Sequence, residues 1–100
     1  MNGFELIRTD EFNAWLIKLR DRRAVVKIGF RLARLEQGIL GDVKPVGGGV
    51  SEIRIHYGPG YRLYYVKRGL VIIVLLCGGD KSSQDRDIAR AKLLAEQWKG

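Results

Sequence analysis

Hydrophobic and polar residues alternate with period two through the middle of the chain. In residues 50–57 (VSEIRIHY) and 61–67 (YRLYYVK), one side carries Ile53, Ile55, Leu63 and Tyr65, and the other carries Glu52, Arg54, His56, Arg62 and Tyr64. That alternation predicts two strands with one face in a core. Gly58-Pro59-Gly60 lies between them, a turn cluster that makes the pair a hairpin. With Tyr57 opposite Tyr61, Ile55 faces Leu63, Ile53 faces Tyr65 and His56 faces Arg62. Arg68-Gly69 then turns the chain into residues 70–77, LVIIVLLC. This run has no alternation, as expected of a strand covered on both faces.

Elsewhere the period changes to three and four. Phe12, Trp15, Leu16 and Leu19 mark an amphipathic helix, with Thr9 or Asp10 as its cap. A second helix is predicted over residues 21–37, burying Val25, Ile28, Leu32 and Leu35 and stopping at Gly38. The two follow each other with almost no linker and read as a helical hairpin. Residues 4–8 form a short strand before it. Residues 38–49, with Gly47-Gly48-Gly49, read as irregular and mobile. Ser82 and Asp85 are spaced as a loose capping box, ahead of a last helix with Ile88, Ala91, Ala95 and Trp98 on its apolar stripe.

The expected architecture is one α+β domain over residues 1–100. It is a β-α-α-β-β-β-α sandwich with a four-stranded, mainly antiparallel sheet. The helical hairpin takes one face and the C-terminal helix partly covers the other. A hairpin that returns the chain to its starting end should leave the first strand antiparallel to the second and fourth.

Composition narrows the function. An apolar fraction of 46% argues against extended disorder. Lys and Arg number 18 against 11 Asp and Glu, a formal charge of +7, which favours a polyanionic partner. One cysteine, Cys77, allows no intrachain disulfide and suits a reducing compartment. The N-terminus lacks the apolar run of a signal peptide, and the longest apolar run is too short to span a bilayer. A soluble, cytoplasmic protein without membrane association is expected.

Candidate chemistry concentrates on the polar strand face. One His and one Cys give no metal-ligand spacing, and no cofactor is expected. Nothing sets a serine beside His56 for triad catalysis. The segment Gly78-Gly79-Asp80-Lys81-Ser82 lacks the first glycine and the spacing of a Walker A loop, yet delivers Lys81 to a helix N-terminus. Arg54, His56, Arg62 and Tyr64, with Glu52 beside them, offer cations for a phosphate and groups able to move protons. RNA scission by an adjacent 2′-hydroxyl needs such a set: a base, cations on the phosphorane and an acid. The base is open among Glu52, His56 and Lys81. His56 is the expected one, because adjacent arginines should lower the pKa of Glu52 and Lys81 is protonated. Lys44, Tyr61 and Tyr64 are candidates for RNA or ribosome contact, the tyrosines by base stacking. So is the cationic stripe Arg20, Arg23, Lys27, Arg31 and Arg34 on the second helix, for which an ordinary solvated face is the plain alternative.

The order of elements, SEIRIHYGPGYRLYYV and VIIVLLCGGDKSSQDRDI together resemble the RelE/ParE superfamily of bacterial type II toxins, closest to its HigB-like "addiction module killer" branch. The resemblance covers nearly the whole chain. It implies a small α/β sandwich and a cognate antitoxin from the neighbouring gene, a helix-turn-helix DNA-binding protein held in a hetero-oligomer. For the RelE side it implies metal-independent mRNA cleavage on the ribosome. The GYR arginine that grips the scissile phosphate corresponds to Arg62, a basic residue on the preceding strand to Arg54, and the cation after the last strand to Lys81. Glu52 stands where several members carry lysine, although some relatives use a glutamate base there. The histidine near the C-terminus of some HigB toxins has no counterpart. The long last helix is similar to that of ParE-like DNA gyrase inhibitors, which carry no nuclease chemistry and form the alternative reading.

Overall fold

A computed structural model describes residues 3–98 of the protein. In chain order it contains β1 (Glu5–Arg8), α1 (Asp10–Lys18), α2 (Arg22–Glu36), β2 (Val43–Gly47), β3 (Val50–Ile55), β4 (Tyr61–Arg68) and β5 (Ile72–Gly79). A 3₁₀ turn (Lys81–Ser83) then leads into α3 (Gln84–Gln97). The strands make one mixed sheet in the order β1-β5-β4-β3-β2.

The expected α+β order holds, with one strand more. Residues 43–47, read as part of an irregular segment, pair antiparallel with β3, Val43 opposite Ile53 and Lys44 opposite Glu52. Pro45 hides this strand from the hydrophobic pattern, and an edge position is where a sheet tolerates a residue with no N–H to give. The extra strand also corrects a direction. The helical hairpin does turn the chain round, so β2 runs against β1. One further reversal then makes β3 and β5 run with β1, and β1 pairs parallel with β5, Leu6 opposite Ile73.

The β3–β4 register differs by two residues from the expected one. Ile55 pairs with Tyr61, Arg54 with Arg62, Ile53 with Leu63 and Glu52 with Tyr64. β3 ends at Ile55, and residues 56–60 make the connection, with Gly60 N–H donating to Tyr57 O at 3.1 Å. An even shift leaves every side chain on its expected face; an odd one would have inverted them. β5 likewise starts two residues late, leaving Leu70 and Val71 exposed at the β4–β5 tip.

Each face of the sheet has its own core. Phe12, Ala24, Ile28, Leu32 and Leu35 of the helical hairpin pack on Ile53, Ile55, Leu63, Tyr65, Ile73 and Leu75. On the other face Ala91 and Ala95 of α3 meet Val50, Tyr64, Val66, Val74, Leu76 and Cys77, with Ile88 and Trp98 alongside. Small residues on α3 let it lie close to a sheet already crowded by β-branched side chains. In α2 it is Ala24, not Val25, that is buried, because 24, 28, 32 and 35 fall on one face at steps of three and four.

Local signals fix the helix starts. Thr9 Oγ1 accepts from Phe12 N–H at 3.0 Å and donates to Leu76 O at 2.7 Å, capping α1 and tying it to β5. The Asp21 carboxylate accepts from Arg23 and Ala24 N–H and caps α2. The Ser82–Asp85 box does not form. Asp80 instead caps the 3₁₀ turn that precedes α3, accepting from Ser82 N–H at 2.8 Å while its own N–H donates to Ser83 Oγ at 3.4 Å. Among the described residues, no helix is long and apolar enough to cross a membrane.

Candidate functional site

Two rows of side chains cross the sheet on the α3 face, where α3 begins and no longer covers it. One row is Lys44, Glu52, Tyr64 and Cys77; the next is Arg54, Arg62 and Gly79. Directly opposed residues share a face, so the strand pairing itself sets the two arginines side by side and both next to Glu52. Like charges in that position repel, and the sheet needs a carboxylate between them.

Glu52 supplies it. Its side chain is 0% exposed, an extreme position for a charge and tolerable only when fully partnered. Oε1 accepts from Arg54 Nε at 3.1 Å. Oε2 accepts from the Tyr64 hydroxyl at 3.1 Å and from Gln84 Nε2 at 2.9 Å, with Arg62 Nε at 3.7 Å. Burial alone pushes this carboxyl up. The hydrogen bonds from Gln84, Arg54 and Tyr64 and the charge of Arg62 outweigh it and hold the group below the ordinary glutamate range. The lowering expected from adjacent arginines is therefore present. Glu52 is ionised, saturated with donors and poorly suited to accept a proton. Burial and the neighbouring carboxylate raise the Tyr64 hydroxyl far above an ordinary phenol, so it remains a donor.

Arg62 is held from a second side. Its Nη1 donates to Gly60 O at 2.6 Å, whereas its buried Nε makes no hydrogen bond among the described residues. Gly60 has φ +78°, and a Cβ there would lie 2.9 Å from Arg62 Nη1 and 3.5 Å from Lys81 Cβ. Glycine is required by both backbone and space. The same contacts place Lys81 beside Arg62, its N–H donating to Pro59 O at 3.3 Å. Gly79 leaves room for the Asp87 carboxylate and the Ser83 hydroxyl, which a side chain in its row would strike.

The remaining candidates lie elsewhere. His56 follows the end of β3, outside the alternation, and does not face Arg62. It is paired with Asp42, whose carboxyl the His56 contact holds below its ordinary range, and it lines a depression with Lys27, Phe30 and Arg31 of α2. Tyr61 and Tyr64 are 8% and 0% exposed, so neither ring has a free face on which a base could stack. Tyr61 packs edge-on against Trp15 in the hairpin-side core, at 6.3 Å between centroids. Lys44 is exposed on the edge strand, on the same face as Glu52. Arg31 donates to the carbonyls of Arg54, Leu40 and Asp42 at 2.5, 3.2 and 3.3 Å. Arg23 and Lys27 line an open surface beside Tyr57, Lys27 Nζ standing 5.2 Å from the centre of that ring.

No protein-family model matches the chain. An uncharacterized protein of Haemophilus influenzae Rd is 51% identical to it over 86 residues, which are 86% of this chain and 87% of that relative. The two belong to one family.

Two participants escaped the sequence reading. Gln84 carries no charge and sits at the first position of α3, and only the fold brings it to Glu52. Gly60 contributes a carbonyl, which no side-chain pattern reports. Among the described residues, no group of three His, Cys, Asp or Glu side chains is placed to hold a metal. What the cluster offers is two preorganised cations, Arg54 and Arg62, set on one buried anion, with the exposed Lys81 beside them. Guanidinium forks held in this way suit a phosphodiester.

Proposed function

We propose that the protein is the toxin of a type II toxin–antitoxin pair of the RelE/ParE kind and that it cleaves mRNA on the ribosome. The observation that carries this reading is the pairing of Arg54 with Arg62 on the buried Glu52, next to Lys81. In this mechanism a 2′-hydroxyl of the RNA attacks the adjacent phosphorus. The 2′-O–P bond forms as the P–O5′ bond breaks, leaving a 2′,3′-cyclic phosphate and a 5′-hydroxyl. Arg54 and Arg62 neutralise the phosphorane, and Lys81 donates toward the leaving oxygen. His56 is engaged with Asp42 away from this row, so the 2′-hydroxyl proton goes to solvent water. Glu52 holds the cations and moves no proton. An antitoxin encoded next door, a helix-turn-helix DNA-binding protein, is the partner that keeps the toxin inactive in a hetero-oligomer.

The test is to induce the wild-type protein and Arg62→Ala and to map mRNA 5′ ends against codon frame. Frame-dependent cleavage by wild type, absent in a folded Arg62→Ala protein, is the expected result. Growth arrest by both proteins without new 5′ ends would remove the nuclease reading. A second reading, a ParE-like DNA gyrase inhibitor, is favoured by one observation: His56 is engaged with Asp42 away from the Arg54–Arg62 row, while Glu52 is saturated. Loss of gyrase supercoiling activity with purified protein would support that alternative.

A further inference from the structure

Arg54 and Arg62 are opposed across the sheet, yet Glu52 holds them unequally. Arg54 Nε donates to Oε1 at 3.1 Å, an ordinary charge-assisted bond. Arg62 Nε is buried, stops 3.7 Å from Oε2 and finds no acceptor among the described residues. A buried guanidinium N–H without a partner is costly. Drawing Arg62 in to about 2.9 Å would remove that cost, so something must hold it off. The competitors are on Oε2 itself. A carboxylate oxygen offers two lone pairs, and the Tyr64 hydroxyl at 3.1 Å and Gln84 Nε2 at 2.9 Å take them. Tyr64 comes from the same strand as Arg62. Gln84 comes from the first position of α3, whose start is set by the 3₁₀ turn that Asp80 caps.

We propose that Gln84 is a positioning residue for Arg62: by filling Glu52 Oε2 it keeps Arg62 charge-balanced but not bonded to the carboxylate, free to turn toward a non-bridging phosphate oxygen. The inference rests on the reading of Arg62 as the phosphate ligand. Gln84 itself touches no substrate and acts through Glu52. An arginine bonded fully to Glu52 would have its donors committed before a phosphate arrived. One held by charge and by Gly60 O can exchange a weak contact for a strong one as the phosphorane develops, which is where added binding lowers a barrier.

Nitrogen-15 NMR of the arginine Nε–H groups tests the contact without RNA, the Arg62 signal being identified by its loss in Arg62→Lys. Gln84→Met keeps the length of the side chain and removes the donor. In it Arg62 Nε–H should close on Oε2, and its proton signal should move downfield as it enters a hydrogen bond to a carboxylate. Tyr64→Phe frees the other lone pair, should move the signal the same way, and stands in if Gln84→Met folds poorly. On ribosomes programmed with a defined mRNA, Gln84→Met should cleave about tenfold more slowly in single turnover. The half-saturating ribosome concentration should not change, because the loss falls on the transition state. A residue that merely braces the fold would not divide rate from binding in this way. An Arg62 signal that stays put in both folded variants overturns the inference, as does a moved signal with an unchanged cleavage rate. Absence of cleavage by the wild-type protein would count against the nuclease reading instead, and the Arg62 signal then decides this inference by itself.

Discussion

The protein carries two groups of cations, and they differ in what holds them. Arg54 and Arg62 are on rigid strands, opposed across the sheet and anchored to a carboxylate with no solvent access. Arg23 and Lys27 lie along an exposed helix face, and Lys27 rests over an aromatic ring. The first group has already met the cost of orientation on folding; the second has not. Preorganised charge is what a transition state rewards. Residue type alone does not separate the two groups. Burial and hydrogen bonding do.

The difference can be broken most severely at Glu52. Glu52→Ala should destabilise the fold by about 3–5 kcal/mol, because the Arg54 guanidinium, a phenol and an amide lose a shared acceptor and Arg62 loses its buried counter-charge. Chemical denaturation would read this directly; a loss under about 1 kcal/mol would mean that water replaces the carboxylate freely. Acid provides a milder version. Because the folded-state pKa of Glu52 lies below its ordinary value of 4.5, folding favours the ionised form. That stability is complete above about pH 4.5 and lost as pH falls through the lower folded value. Glu52→Gln should therefore show a flatter stability profile on the acid side than wild type.

Gly60→Ala comes next. The left-handed backbone and the approach of Arg62 Nη1 together predict a loss of about 1–2 kcal/mol, with activity falling further than stability because Arg62 is displaced. Equal losses in the two measurements would make Gly60 a turn residue only. The smallest effects belong to α2 and separate its own cations. Arg31→Met removes three carbonyl contacts and should cost about 1 kcal/mol or more, whereas Lys27→Met should stay within about 0.5 kcal/mol. Equal values would put Arg31 among the solvated cations.

Much of this was legible in the sequence. Period two placed Glu52, Arg54, Arg62 and Tyr64 on one face, and a register off by two could not undo it. Steps of three and four found both helices of the hairpin and the stripe of α3. What escaped depended on contacts distant in sequence or on groups without a pattern. Pro45 disguised β2, and with it the direction of β1. His56 read as a strand residue because alternation runs smoothly past Ile55, where the pairing stops. Tyr61 and Tyr64 were legible as aromatic but not as enclosed. Gln84 could be assigned only once α3 was set against the sheet.

The most direct test of the locked pair is single-turnover cleavage on ribosomes programmed with a defined mRNA, comparing Arg62→Ala with Lys27→Ala. Both proteins should fold. Removing a preorganised cation from a developing phosphorane should slow cleavage about 10²–10³-fold, whereas Lys27→Ala should change it by less than about threefold. Equal rates for the two variants, or a larger loss from Lys27→Ala, would contradict the assignment of function to the Glu52-anchored arginines.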